Sequence, residues 1–354
     1  MSQAILILPG DGIGPEVAAA AKACLQAIAE LEGLALTFPE APFGGAGIDA
    51  CGEPLPQDTL KAAQSADAIF LGAVGGPKWD HAPKRPEQGL LGLRKALGLF
   101  ANLRPVKVFK GLEHLSPLKE ERVAGADLLI VRELTGGLYF GDKREGDDEA
   151  FDGCSYSRAE VSRIAEIGFK AAQGRKGKLT SVDKANVLAT SRLWRKTVKD
   201  LSGDYPDVAV DHLYVDAAAM ALVTQPARFD VIVTENLFGD ILSDEAAVVA
   251  GSIGLLGSAS LGASGPGLFE PIHGSAPDIA GQDKANPSGA IASAAMLLRY
   301  GLNQPNAADR LEAALEAALV HEPRTADLGG TASGSAFADS VLSRIEHARV
   351  VEPA

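Results

Sequence analysis

Short apolar runs rich in branched residues alternate along the chain with longer Ala/Leu-rich stretches. AILILPG opens it, and the periodicity that follows predicts a helix from about Pro15 to Glu30, with proline at a first-turn position. ADAIFLGAV follows another helical stretch. Then come ADLLIVREL, KLTSVDK, VAVDHLYVD and FDVIVTEN, the last three each running into a helical pattern. Parallel strands need crossover connections, so this rhythm predicts an α/β protein with a largely parallel sheet. Thr135 to Ser157 breaks the rhythm: it is glycine-rich, polar and charged, with no room for a βαβ unit, and reads as a projecting hairpin or arm. A second Gly/Ser-rich zone with a short apolar core lies between Gly251 and Gly267, and two helical patterns after Pro287 close the chain.

The 354 residues suggest two domains. A net charge of −13 argues against nucleic acid or an anionic membrane as the main partner, since both need clustered Lys and Arg. An anionic ligand would need a local positive cluster. The three cysteines, Cys24, Cys51 and Cys154, are far apart and lack metal-like spacing, which fits a reducing compartment. The N-terminal run has no basic flank and stops at Pro9-Gly10, reading as a first strand. With no uninterrupted apolar stretch long enough to span a bilayer, the expectation is a soluble cytoplasmic protein.

Ligands of open α/β sheets collect beyond the carboxyl ends of the strands. Arg132, Lys184, Asp216, Asp240 and Asp244 all follow or end apolar runs. Asp240 and Asp244 are four apart, on one helix face, and their like charges call for a compensating cation. They read either as a solvated helix N-terminus or, with Asp216, as an all-oxygen site for Mg²⁺ or Mn²⁺. Lys184 is a solvated cap or a base. Arg94, Arg104 and Arg132 are surface arginines singly, or together a clamp for a dicarboxylate. Tyr139 is a core aromatic or a proton donor. Gly10, Gly12 and Gly14 give G-x-G-x-G, a tight turn and not the Rossmann fingerprint, and Glu40 does not supply the acidic residue that a second strand would need. EPIHGSAPDIAGQDKANP, by contrast, is a loop able to offer backbone N–H groups to a pyrophosphate.

The chain resembles the isocitrate/isopropylmalate dehydrogenase family of β-hydroxyacid oxidative decarboxylases over nearly its whole length. LPGDGIGPEV, PEQGLLGLRKALGLFANLRPVK, VRELTGGLYFG, SVDKANVL, DHLYVDAAAM, TENLFGDILSDEAA and HGSAPDIAGQDKANP carry the likeness. The resemblance implies a two-domain, non-Rossmann α/β fold. Residues 1–100 and 252–354 would form the first domain, with the NAD-binding loop. Residues 101–251 would form the second, with the metal carboxylates and a dimerisation arm at about 135–157. It further implies that Asp216, Asp240 and Asp244 hold Mg²⁺ or Mn²⁺, that Arg94, Arg104 and Arg132 hold the malate carboxylates, and that Lys184 is the general base and Tyr139 the general acid. Lys184 and Asp216 would reach the site from the other subunit of a homodimer. NAD would lie on His273, Gly274, Ser275, Ala276, Pro277 and Asp278, with Asn286 near the adenine; a carboxylate at 278 favours NAD over NADP.

The resemblance implies that the segment Glu87-Gln88-Gly89-Leu90-Leu91 faces the substrate's C3 group. Leu90 and Leu91 suit a branched alkyl group, whose burial is worth about 1.5–3 kcal/mol, and offer nothing to a carboxylate. They read otherwise as helix core. The expected reaction is therefore oxidative decarboxylation of 3-isopropylmalate, in leucine biosynthesis, ahead of homoisocitrate, tartrate or isocitrate. A two-lobed binding protein and a scaffolding pseudoenzyme are the readings from other classes. The arm's DKREGDDE stretch is more charged than the family pattern.

Overall fold

The computed structural model describes residues 2–321 and 323–351, and these form two compact units, one from the described residues up to 99 and from 252 onward, the other from residues 100–251. The chain enters the first unit through β1 (Gln3–Gly10), α1 (Gly14–Glu32), β2 (Leu36–Thr37), α2 (Gly45–Cys51), α3 (Gln57–Ser65), β3 (Ala68–Ala73) and α4 (Pro86–Ala96). It then builds the second from β4 (Ala101–Lys107), α5 (Glu120–Val123), β5 (Asp127–Glu133), β6 (Lys143–Arg144), β7 (Phe151–Asp152), α6 (Arg158–Gln173), β8 (Lys178–Asp183), α7 (Ala189–Leu201), β9 (Ala209–Tyr214), α8 (Val215–Thr224), β10 (Val231–Thr234) and α9 (Asn236–Val249). It returns to the first with β11 (Gly257–Leu261), β12 (Gly267–Pro271), α10 (Ser288–Met296), α11 (Pro305–Val320) and α12 (Gly334–Val351).

In the first unit the strands run β2-β1-β3-β12-β11, all neighbours parallel except β11 and β12. In the second they run β4-β5-β10-β8-β9, all parallel except β4 and β5. Every residue of β3 and of β10 is buried, which is why those strands read as unbroken apolar runs without alternation. Leu6 and Leu8 of β1, Ile69 and Leu71 of β3, Phe43, Leu93, Leu99 and Leu268 pack into one buried cluster. In the second unit α6 lies close on its sheet because Gly168 has no side chain: a Cβ there would sit 3.2 Å from Leu179 and Val233.

Three features depart from the sequence pattern. The strand β4 contains Pro105 and pairs antiparallel, so neither composition nor the β-then-α rhythm marks it. The Gly/Ser-rich zone contributes the strand β11. Among the described residues three α-helices, not two, follow Pro287, because all nine residues of α10 but one are buried and an all-round apolar helix has no amphipathic period.

The turn after β1 is tight for a steric reason. Gly10 and Gly12 have φ of 72° and 58°, and a Cβ on either would lie 1.9 Å from the Ala73 carbonyl oxygen or 2.0 Å from that of Ser275. The Thr135–Ser157 segment starts with a helical turn at Gly137–Tyr139 and continues as the two-stranded antiparallel ribbon β6–β7, whose tip is exposed.

Leu71 has no exposed surface and sits in the middle of the first unit's cluster. Leu71→Ala should cost about 2–5 kcal/mol, read as a lowered urea midpoint for that unit.

Candidate active site

In the second unit, β5 and α9 bring the first group of functional side chains together. Arg132, the penultimate residue of β5, is buried against α9. Gly239 makes this possible, since a Cβ there would fall 2.6 Å from Arg132 Cγ. Arg132 Nη1 donates to Asp240 Oδ1, while Nε and Nη2 donate to Asn236 Oδ1 at 3.2 and 2.9 Å. Arg104, from β4, donates through Nη1 to Asp244 Oδ1 at 3.1 Å and to Ser243 Oγ at 2.6 Å; its Nη2 lies 3.8 Å from Asp240 Oδ1. Asn102 steadies it by accepting from Nε at 2.8 Å. The two arginines supply the positive charge that the carboxylate pair demands.

Tyr139 joins this group. Its hydroxyl donates to Asp240 Oδ2 at 2.8 Å, and its ring centre is 5.7 Å from the Arg132 guanidinium. Partial burial, reinforced by the bond to Asp240, raises the phenol above its ordinary pKa. Tyr139 is thus a neutral donor aimed at a carboxylate.

A second pair forms at β8 and α8. Lys184 Nζ is 2.5 Å from Asp216 Oδ1, and that ammonium holds the Asp216 carboxyl below its usual range. Asp216 does not end a strand as its sequence position suggested. The strand β9 stops at Tyr214, and Asp216 lies in the first turn of α8, where a carboxylate meets the helix dipole. The backbone beneath Lys184 is fixed by Asp183, fully buried, which takes both Arg195 Nε and Nη2 at 2.8 and 2.9 Å and the Ala185 N–H at 2.8 Å.

Among the described residues, no three Asp, Glu, His or Cys side chains form a metal-holding group. One chain therefore brings Asp240 and Asp244 together but not Asp216 with them, and the three-carboxylate set is not assembled within a single chain. The pair it does assemble suits a hard divalent cation: all-oxygen, with Asp244 64% exposed.

The remaining predicted residues lie in the first unit. Arg94, on α4, donates to Glu270 Oε1 at 2.9 Å, so it is held by an acid of its own unit. On the same helix Leu90 packs against the core cluster whereas Leu91 is 48% exposed, so the two leucines do not present one common face. Glu87 is exposed and has Oε1 close to Gly75. In the His273–Asp278 loop, Ser275 accepts the Ile13 N–H at 2.8 Å, Asp278 is exposed, and Ala276 adopts φ of 36°. Gly274 and Pro277 are exposed between them. Burial lowers the His273 pKa, so the imidazole is neutral at neutral pH. Its Nδ1 faces Gly274 O at 2.9 Å, and its Nε2 is buried without a partner among the described residues. Such an orphan nitrogen, on a loop that shows backbone and an exposed carboxylate, fits a cofactor with phosphate and ribose groups. Asn286 is occupied otherwise: its Nδ2 donates to Asp327 at 2.9 Å, and its Oδ1 accepts from Ser288 N and Oγ at 3.0 and 2.6 Å, at the start of α10.

Residue patterns alone missed Asp11. It sits in the middle of GDGIG, is buried, and accepts N–H groups from Gly45, Ala46 and Gly75 at 2.8, 2.8 and 2.9 Å. Burial raises its pKa against the pull of those bonds.

A model of isocitrate/isopropylmalate dehydrogenases matches residues 4–341. The chain belongs to that family. It is 56% identical over 347 residues to a Listeria innocua protein named 3-isopropylmalate dehydrogenase, covering 98% of this chain and 99% of the relative. It is 55% identical to proteins of the same name from Anaeromyxobacter dehalogenans and Staphylococcus aureus, covering 98% of this chain and all of each relative. Among solved structures it resembles isocitrate dehydrogenase from Methylococcus capsulatus (TM-score 0.87, 35% identity, 97% and 99% covered). It also resembles a β-decarboxylating dehydrogenase from Thermococcus kodakarensis (TM-score 0.84, 37% identity, 99% and 98% covered). The family fold and a decarboxylating dehydrogenase activity follow.

Glu235 caps α9 by accepting the Phe238 N–H at 3.0 Å, and burial, with Glu133 nearby, raises its pKa. A raised carboxyl favours the folded state below its unfolded pKa, and that contribution is lost as pH rises through the folded value. Glu235→Gln keeps an oxygen for the cap. Its thermal midpoint should equal or exceed the parent's at about pH 8, with the gain shrinking toward about pH 5; a deficit that grows with pH would contradict this.

Proposed function

We propose that this dehydrogenase converts (2R,3S)-3-isopropylmalate to 4-methyl-2-oxopentanoate and CO₂, reducing NAD with the help of Mg²⁺ or Mn²⁺, in leucine biosynthesis. The observation that carries the substrate is the 55–56% identity, over essentially the whole length, to relatives named for that activity. Exposed Leu91, which can only offer apolar surface, supports an alkyl group at C3.

We assign the metal to Asp240 and Asp244 of one chain with Asp216 of a second copy, and NAD to the loop from His273 to Asp278 of residues 1–99 and 252–354. When bound, a divalent ion supplies Lewis acidity toward a hydroxyl and NAD supplies a hydride acceptor. The chain's own residues do the rest. Arg104 and Arg132 hold substrate carboxylates with the Nη groups that now meet Asp244 and Asp240. Arg94, on the helix that carries Glu87, Leu90 and Leu91, is likewise assigned to a substrate carboxylate. Lys184 takes the C2 hydroxyl proton as its neutral amine, after the ammonium that now pairs with Asp216 has lost a proton to solvent. Tyr139, kept neutral by its surroundings, returns a proton to carbon after CO₂ leaves.

The site is read as shared in a homodimer. Met220 and Val223 of α8 and Ile241 and Val248 of α9 are exposed apolar residues on helices that pack together, and Asp244 lies on the same open stripe of α9 as Ile241 and Val248. A cytoplasmic location is inferred from the three unpaired cysteines, and among the described residues no helix is long and apolar enough to cross a membrane.

The purified protein, given NAD and Mn²⁺, should form NADH from 3-isopropylmalate and lose that activity with EDTA. Isocitrate, homoisocitrate and tartrate should be turned over far more slowly; preference for a tricarboxylate would overturn the substrate assignment.

A further inference from the structure

We infer that Asn236 is a positioning residue that sets Arg132, Tyr139 and Asp240 relative to one another; this rests on the roles proposed above for those three. Asn236 is buried at the first position of α9. Its Oδ1 accepts both Nε and Nη2 of Arg132 at 3.2 and 2.9 Å. Its Nδ2 donates to the carbonyl of Gly136 at 3.1 Å, and Gly136 begins the turn that carries Tyr139. Its backbone N–H, otherwise an orphan of the helix start, donates to Tyr156 OH at 3.0 Å. One turn along α9, Asp240 accepts from Tyr139 OH at 2.8 Å and from Arg132 Nη1.

These bonds close a ring. The path runs from Asn236 through Gly136 to Tyr139, across to Asp240, and back along α9 to Asn236, with the Arg132 guanidinium bridging the two helix residues. A helix-start asparagine would ordinarily spend its side chain on local backbone N–H groups. Here both ends reach residues about a hundred positions earlier in the chain. Oδ1 can present only one guanidinium orientation to the site. Nδ2 fixes where the Tyr139 turn departs from the end of β5. Asn236 reaches the arginine and the backbone of the tyrosine's turn through the two ends of one planar amide, and so couples carboxylate binding to proton donation.

The two functions separate by substitution. Asn236→Asp keeps an acceptor for Arg132 but places an oxygen against Gly136 O, whereas Asn236→Leu removes both bonds. On the intact enzyme with 3-isopropylmalate, Mn²⁺ and NAD, N236L should raise KM for the hydroxy acid about tenfold or more and lower kcat, leaving KM for NAD unchanged. N236D should hold KM for the hydroxy acid within about twofold while kcat falls. Hydrogen exchange measured without substrate should quicken in a peptide spanning 134–141 in both variants. If N236L does not fold, N236D and its exchange pattern decide. Parent-like kinetics in a folded variant, or exchange and both KM values changing throughout the chain, would overturn the inference. A parent enzyme that ignores 3-isopropylmalate would instead overturn the proposed function, leaving the exchange result to judge the ring.

Discussion

Asp240 and Asp244 put two negative charges one turn apart on α9, and like charges at that spacing destabilise a bare helix by about 0.2–0.5 kcal/mol. The chain keeps them there by bringing Arg132 from β5 and Arg104 from β4 against the same helix face. That constraint propagates. Position 239 must be glycine for Arg132 to lie flat, β4 must pair antiparallel with β5 to bring Arg104 alongside, and Tyr139 must turn back to reach Asp240. Were a divalent cation held by those carboxylates, as proposed, the guanidinium groups would be free to hold an anionic substrate. The net charge of −13 therefore says little about the ligand, because the positive groups are local.

Buried acids hold the loops around these elements. Asp11, Asp183, Glu133 and Glu235 are all buried, and each is tied to backbone N–H groups at the end or start of an element. Asp11 joins the turn after β1 to the loop after β3 and to the start of α2. Glu133 receives the Thr135 and Gly136 N–H groups, and so shapes the exit from β5 toward Tyr139. Loops carry the chemistry, and buried carboxylates give those loops one conformation.

The strand-and-helix rhythm was legible because parallel strands buried on both faces leave continuous apolar runs, as β3 and β10 do. The helical spacing of Asp240 and Asp244 was legible because a four-residue interval needs no tertiary knowledge. What stayed hidden depends on distant partners. Nothing local to Arg94 announces Glu270, and nothing local to Asn236 announces Arg132 and Gly136. Proline inside β4 and all-round burial of α10 erased the usual periodic signs. Leu90 and Leu91 are adjacent in a helix, so they point in directions about 100° apart, one against the core cluster and the other exposed. Nothing local to Asn286 announces that it bonds Asp327 and Ser288 at the start of α10.

The central proposal is that Asp240 and Asp244 are two of three metal carboxylates, and that the third, Asp216, comes with Lys184 from a second copy. Intersubunit complementation tests it directly: co-refold Lys184→Met chains with Asp240→Asn chains, each inactive as a pure assembly. Random pairing places both lesions in one site of each mixed dimer and leaves its other site intact, so activity should return to about a quarter of the parent's. Mixed dimers that are present by mass spectrometry yet no more active than either pure variant would contradict the account.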